Sequence, residues 1–397
     1  MQASDARRLA GNALAEALRA GRAATLARVL DASDAAWRVP QQRGVNPIAW
    51  ELGHLAWFAE FWVLRGPHVV RADGFVDAAG PARIAGPDEV FDSARLGHAA
   101  RWNAPLASRK ALVATLEAQL EACIDALPAG DDDEASHYFH RLALFHEDMH
   151  GEAFAWLRAA LAWPAPAGLE SMPVSPVGEP LRVEGGEIEI GRRVDAAGFS
   201  FDNEQPAAAV RLAPFEIDTS PVRAGRFLRF VEAGGYDDPA FWPGPAGAWR
   251  RGRSSAHPER WRRGSGGVWE ARWFDRWAPL DLAAPVLHVS AWEAEAYCRW
   301  ARRRLPSAAE WECGAREPRF QWGGSVWEWT ADAFLPYPGF RAGPYRDYSQ
   351  PWFGDHRELR GGSFATHARL RHPAYRNFFT PERTDVFAGF RTAALSH

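Results

Sequence analysis

The chain changes character at Pro164. The stretch from Pro164 to Pro176 (Pro-Ala-Pro-Ala-Gly-Leu-Glu-Ser-Met-Pro-Val-Ser-Pro) holds four prolines in thirteen residues. A segment so short of backbone donors cannot continue a helix or sit inside a sheet, and it reads as a semi-rigid linker. The chain is therefore expected to divide into a first domain over 1–163, a linker over 164–180 and a second domain over 181–397. Two or three domains is also what 397 residues suggest at about 150 residues each.

Before the break the pattern is helical. Ala6 to Leu30 carries apolar residues at three- and four-residue steps, and Asn46-Pro47 opens a second helix through about Leu64. A third runs from about Leu106 to Leu127 and stops at Pro128 and Gly130. Asp131 to Glu134 place negative charge and a cap at the start of a fourth, which continues to Trp163. Four amphipathic helices with one long connection, Gly66 to Asn103, predict a four-helix bundle.

After the break, short apolar runs (Leu181 to Val183, Glu187 to Gly191, Val210 to Ile217) alternate with Gly, Pro and Asp turns. Two helices interrupt them, Pro221 to Ala233 and Ser290 to Arg304, the second opened by a capping box of Ser290 and Glu293. The remainder is rich in Trp, Phe, Gly and Arg, which predicts a compact α+β domain held by aromatic clusters. No internal repeat is evident.

Several classes of function are disfavoured. Forty-six basic residues against fifty acidic ones give a charge of −4, where a phosphate-gripping nucleic-acid binder would carry a basic excess. Only three cysteines occur (Cys123, Cys298, Cys313), far apart, so neither a disulfide framework nor a cysteine zinc site is expected, and a reducing, cytoplasmic setting fits. The most apolar stretch, Ala153 to Trp163, is short and broken by Arg158, so no membrane partner is expected. Nothing in the sequence sets an oligomeric state.

The chemistry concentrates in His146-Glu-Asp-Met-His-Gly-Glu152. Four residues apart on a helix, His146 and His150 share a face, about 5–6 Å apart at Cβ, and two such imidazoles can hold one first-row metal. In Trp50-Glu-Leu-Gly-His-Leu-Ala-Trp-Phe58, His54 lies on the apolar side of the second helix beside Trp50, Trp57, Phe58 and Phe61. A bundle-core histidine facing a histidine pair can close a metal site between helices. The pair could instead be a solvated turn and His54 an ordinary core histidine. It also matches H-E-x-x-H, the zinc protease signature with Glu147 as base, although no third histidine follows and that motif leaves His54 unexplained.

These residues resemble the DinB-type domain of the ergothioneine sulfoxide synthases, in which that bundle is joined to a formylglycine-generating-enzyme-like domain related to the C-type lectin fold. The second half is similar to that domain in family order: Val286-Leu-His-Val-Ser-Ala-Trp-Glu-Ala-Glu-Ala-Tyr-Cys-Arg-Trp300, Arg304-Leu-Pro-Ser-Ala-Ala-Glu-Trp-Glu312, Gly324-Ser-Val-Trp-Glu-Trp-Thr330, Leu359-Arg-Gly-Gly-Ser-Phe364 and Ala388-Gly-Phe-Arg-Thr-Ala393. The fold class implied is multi-domain, α followed by α+β. The resemblance implies non-haem iron(II) on His54, His146 and His150, with O2 as co-substrate. The reaction implied joins a chalcogen to imidazole C2 of hercynine, the trimethylated histidine. Related second domains can also hold a structural calcium ion.

The resemblance further implies substrate contacts from Arg95 and Arg101 in the long connection, from Asn377, Phe378 and Phe379, and from Arg383. It implies a tyrosine proton donor, for which Tyr345 and Tyr348 are the candidates. Glu152 is the candidate partner for an outer imidazole N–H. The chain departs from the ergothioneine enzymes at Met149 and Gly151, where they carry glutamines, and at Phe379, where some carry aspartate. Its Trp-Glu-Leu-Gly-His and His-Glu-Asp-Met-His variants resemble the selenoneine synthase branch, whose second substrate is a selenosugar. The ergothioneine-type reaction with cysteine or γ-glutamylcysteine is the close alternative. A zinc hydrolase or thiol transferase on the same bundle and a lectin-like binding module are the rivals. A formylglycine-generating oxidase is disfavoured by where Cys298 and Cys313 fall.

Overall fold

A computed structural model describes residues 6–129 and 135–395. The expected cap at Asp131 to Glu134 lies outside the described residues. The chain splits into two compact units: one takes the chain up to Arg158 together with Ala197–Phe199 and Pro344–Asp347, and the other takes the rest.

The first unit is built on four long helices: α1 (Gly11–Ala27), α2 (Ile48–Ala59), α4 (Arg109–Asp125) and α5 (Tyr138–Ala160). Leu14, Ala17 and Leu18 of α1 meet Leu144 of α5, with Leu120 and Ile124 of α4 packed alongside. Ala59, Cys123 and Ala143 join α2, α4 and α5 in a second cluster. Apolar faces at helical spacing thus bury against one another, as the sequence pattern requires.

α2 differs from its neighbours. Eleven of its twelve residues are buried, so its two polar side chains, Glu51 and His54, must find partners inside the protein. It continues as a π-helical turn over Glu60–Leu64, a feature the sequence did not announce. The connection that follows holds a hairpin, β1 (His68–Val70) with β2 (Val76–Ala78), and a short helix, α3 (Asp88–Phe91). This connection is tied down on α2. The buried Glu60 carboxylate accepts the backbone N–H groups of Arg83, Ile84 and Ala85 at 2.6–2.9 Å. Asp88 accepts from Arg65 at 2.6 Å and from Trp57 Nε1 at 2.8 Å.

In the second unit, β3 (Leu181–Val183) pairs with β6 (Phe215–Ile217), and β4 (Gly186–Ile190) pairs with β5 (Ala208–Leu212). The apolar run Val210 to Ile217 is therefore two strands in two different ladders. Helices α6 (Ala224–Glu232) and α7 (Pro245–Arg251) precede a meander of β7 (Trp261–Arg263), β8 (Trp269–Trp273) and β9 (Arg276–Pro279). Helices α8 (Ala291–Trp300) and α9 (Ala308–Gly314) follow. The main sheet has the order β12 (Asn377–Phe379), β11 (Arg357–Arg360), β10 (Trp327–Ala333), β13 (Ala388–Gly389). Trp311, Trp327 and Trp329 are fully buried, which accounts for part of the high tryptophan content as core. Buried charges are paired, Arg391 with Glu328 and Arg376 with Glu358, as burial demands.

The proline-rich segment is not a free spacer. Ser175 is fully buried, its Oγ donating to the Pro221 carbonyl at 2.9 Å, and Trp273 Nε1 donates to the Leu169 carbonyl. Some of the segment's few donors are satisfied locally, the Leu169 N–H by the Pro166 carbonyl and the Gly168 N–H by Glu170.

The capping box on α8 is as expected: the Glu293 N–H donates to Ser290 Oγ, and the Ser290 N–H donates to Glu293 Oε2. Ser290→Ala is expected to destabilise the second unit by about 1 kcal/mol, the usual size of a lost cap. Chemical denaturation checks this, and an unshifted midpoint would refute it.

Candidate metal centre

His54, His146 and His150 bring one ligand nitrogen each to within 4.8 Å of one another. Among the described residues, no other group of three His, Cys, Asp or Glu side chains does so. The Nε2 atoms of His54 and His146 are 3.3 Å apart. Two nitrogens bound side by side to one ion at about 2.1 Å sit roughly 3.0–3.3 Å from each other, so this pair already has the spacing of two ligands.

The outer nitrogens fix how two of the rings present themselves. His54 Nδ1 lies 2.7 Å from the Phe91 carbonyl, which can only accept, so Nδ1 carries the proton and Nε2 a lone pair. His150 Nδ1 lies 2.8 Å from Glu51 Oε1, so this nitrogen too carries a proton and Nε2 is the ring atom left for a ligand. Burial holds His54 and His146 well below the ordinary imidazole range, with their neighbouring histidines adding to the effect. Both are neutral and ready to ligate. Trp50 stacks on His54 with ring centroids 5.1 Å apart, and Phe58 lies flat on His146.

Backbone packing delivers the Phe91 carbonyl. A Cβ added at Gly53 would come within 2.2 Å of the Phe91 ring, and one at Gly86 within 3.0 Å of the ring's opposite edge. The ring is wedged between two glycines, and this sets the carbonyl against His54. Gly53→Ala is expected to push the ring away, to weaken metal binding tenfold or more and to destabilise the first unit by about 1–3 kcal/mol. Metal titration and thermal melting test this; native-like binding would show that the wedge does not matter.

The site residues expected from sequence fall in several places. The carboxylate on His150 is Glu51, not the anticipated Glu152; Glu152 is buried and acts electrostatically on Arg28. Glu147 is paired with Arg22 through both oxygens, at 2.9 and 3.0 Å, which removes it from the role of protease base. Arg95 forms ion pairs with Asp92 and Asp77. Arg101 lies 4.1 Å over the Trp50 ring and donates to Asn46 Oδ1, and its Nε is buried with no hydrogen-bond partner.

Tyr345 belongs to the first unit, its ring 4.9 Å from Phe58 and 6.2 Å from His146. With His54, Trp57, Phe61, Asp92 and Asp347 it lines one cavity. Tyr348 belongs to the second unit, where its hydroxyl donates to that of Tyr375. Asn377, Phe378 and Phe379 form β12 in that unit: Phe378 stacks on Phe334, and Arg383 sits over Phe379 while pairing with Asp385. Cys298 and Cys313 are free thiols, both pushed up by burial.

Glu51 and Phe91 went unpredicted. A signal for Glu51 was present: an acid inside an otherwise apolar helix, three residues before His54 and on the same face, needs a buried partner.

Comparison with known proteins agrees with this anatomy. Residues 17–161 match the DinB superfamily, and 166–323 and 319–395 match the sulfatase-modifying factor enzyme 1-like domain. The chain is thus a two-part enzyme, a helical DinB domain followed by a mixed α and β domain of that type. It is 32% identical to the hercynine oxygenase of Mycobacterium tuberculosis, over 94% of this chain and 96% of that one. It is 30% identical to that of Mycolicibacterium smegmatis, over 97% and 99%. The formylglycine-generating enzyme of Streptomyces coelicolor is 30% identical but covers only 59% of this chain. The chain belongs to the hercynine oxygenase family. Family membership removes the lectin-like binding module from consideration. Among the described residues no helix is long and apolar enough to cross a membrane.

Proposed function

We propose that this enzyme uses iron(II) held by His54, His146 and His150, together with O2, to join a chalcogen donor to imidazole C2 of hercynine. The observation that carries the proposal is the convergence of three buried or half-buried imidazoles, one ring nitrogen of each within 4.8 Å of the others, two of them with Nδ1 engaged. Three neutral nitrogen donors suit ferrous iron and leave coordination positions for substrates. When bound, iron supplies the activation of O2 on which bond formation depends.

The chain's own residues align and shield. Trp50 and Phe58 flank the ligands and keep water away. Trp57 and Phe61 line the same small cavity as His54. Arg101, which no carboxylate pairs with directly among the described residues, is the candidate for the substrate carboxylate. The tyrosine of the cavity that also holds His54, Tyr345, is the candidate proton donor.

The donor is proposed to be a selenosugar, giving C–Se bond formation as in selenoneine synthesis. Two features support a neutral, hydroxyl-rich donor over cysteine or γ-glutamylcysteine. Arg95 is already paired with Asp77 and Asp92, so it is not free to hold a donor carboxylate, and Phe379 stands where some ergothioneine-type enzymes carry an aspartate. Protein loaded with iron without oxygen, then exposed to air with hercynine and either donor, is expected to turn over with the selenosugar. Turnover with γ-glutamylcysteine alone would assign the sulfoxide synthase reaction instead. Activity with zinc in the absence of oxygen would defeat both.

A further inference from the structure

Glu51 is 2% exposed, yet among the described residues no arginine or lysine meets either of its carboxylate oxygens. Oε1 accepts from His150 Nδ1 at 2.8 Å, and Oε2 accepts from Asn46 Nδ2 at 3.1 Å. Asn46 in turn accepts from Arg101 at 2.8 Å, Arg101 lies over Trp50, and Trp50 stacks on His54. The links run from one candidate ligand, through Glu51, Asn46, Arg101 and Trp50, to another. The positive charge that balances Glu51 is held one amide away from it, so its negative charge is directed at His150.

We infer that Glu51 is a positioning residue that supplies, through His150 Nδ1, the negative charge an all-histidine metal site lacks. The familiar ferrous facial triad of two histidines and one carboxylate brings one negative charge to the metal, whereas three neutral imidazoles bring none. A carboxylate that accepts the outer N–H of a ligand imidazole raises its basicity and fixes its tautomer. Only one of the two held rings receives this: His54 donates to a neutral carbonyl, His150 to a carboxylate. His150 is therefore the strongest electron donor of the three. Arg101 opposes Glu51 from a distance, and the two charges act on the site with opposite signs.

The inference rests on the metal reading proposed above, and the test separates the two. Full-length protein is titrated with cobalt(II) and iron(II), and the potential of the iron-loaded protein is measured. Wild-type protein is expected to take up one ion. Glu51→Gln, similar in shape but uncharged, is expected to bind ten- to a hundredfold more weakly, with a raised iron potential and an unchanged melting temperature of the metal-free protein. Glu51→Asp, which keeps the charge on a shorter arm, is expected to recover part of the affinity. Arg101→Met, which removes the opposing charge, is expected to lower the potential. Wild-type affinity and potential in a folded Glu51→Gln overturn the inference, as do shifts of the same sign in Glu51→Gln and Arg101→Met. Should Glu51→Gln fail to fold, the Glu51→Asp affinity and the sign of the Arg101→Met shift decide. A wild-type protein that takes up neither ion defeats the metal reading itself.

Discussion

Replacing His54 with alanine is expected to leave a folded protein that no longer retains iron and whose turnover falls about a thousandfold or more, since the metal contributes several kcal/mol of transition-state stabilisation. The substitution leaves only the pair on α5, four residues apart, and a two-nitrogen site is easily stripped by a chelator. It also orphans the buried Phe91 carbonyl, at a cost of about 1–3 kcal/mol. His140 on the same helix as the pair supplies the control. It is buried, donates from Nε2 to the Cys123 carbonyl at 3.0 Å, and takes no part in the convergent set. His140→Ala should therefore cost stability without emptying the site. Iron content after desalting, read beside the melting temperature, distinguishes the two variants. Stoichiometric iron in His54→Ala would refute the three-histidine centre.

The three histidines were legible because local periodicity encodes them. Spacing alone puts His146 and His150 on one face, and an apolar helix alone turns His54 inward. The residues around them were not legible, for reasons of range and chemistry. Glu51 meets His150 across 99 positions of sequence, and no local pattern reports a contact of that span. The partner of His54 is a backbone carbonyl, and carbonyls carry no sequence signature; only Gly53 and Gly86, which admit the Phe91 ring, hint at it. Glu152 was a sound reading of neighbourhood and helix phase, but a neighbour in sequence does not fix where a carboxylate is bound. The proline-rich segment was read as a semi-rigid linker, and composition could not report the hydrogen bonds that tie it to the second unit. Its Ser175, which donates its hydroxyl to the Pro221 carbonyl, is completely buried. Val210 to Ile217 appeared as one apolar run because alternation continues across the break at Ala213-Pro214 while the hydrogen-bonded partner changes.

Tyr345→Phe is expected to lower turnover by about 10²–10⁴, the range for loss of a positioned proton donor, while iron uptake stays at the wild-type level. The two candidate tyrosines lie three residues apart and were equivalent by sequence, but their surroundings differ in kind. The Tyr345 ring packs on Phe58, which itself lies flat on His146, and Tyr345 lines the cavity that contains His54. The Tyr348 hydroxyl is committed to Tyr375, and deep burial holds it well above the ordinary phenol range, so it keeps its proton. Tyr348→Phe should thus alter the stability of the second unit and leave the chemistry alone. Metal titration fixes the first half of the expectation for Tyr345→Phe, and single-turnover rates in H2O and D2O fix the second. A solvent isotope effect present in wild type and lost in the variant places the proton on this hydroxyl. Equal turnover in Tyr345→Phe and wild type would mean that the proton arrives by another route. Tyr345 would then be one more wall of a cavity that Trp57, Phe61 and Trp62 already line.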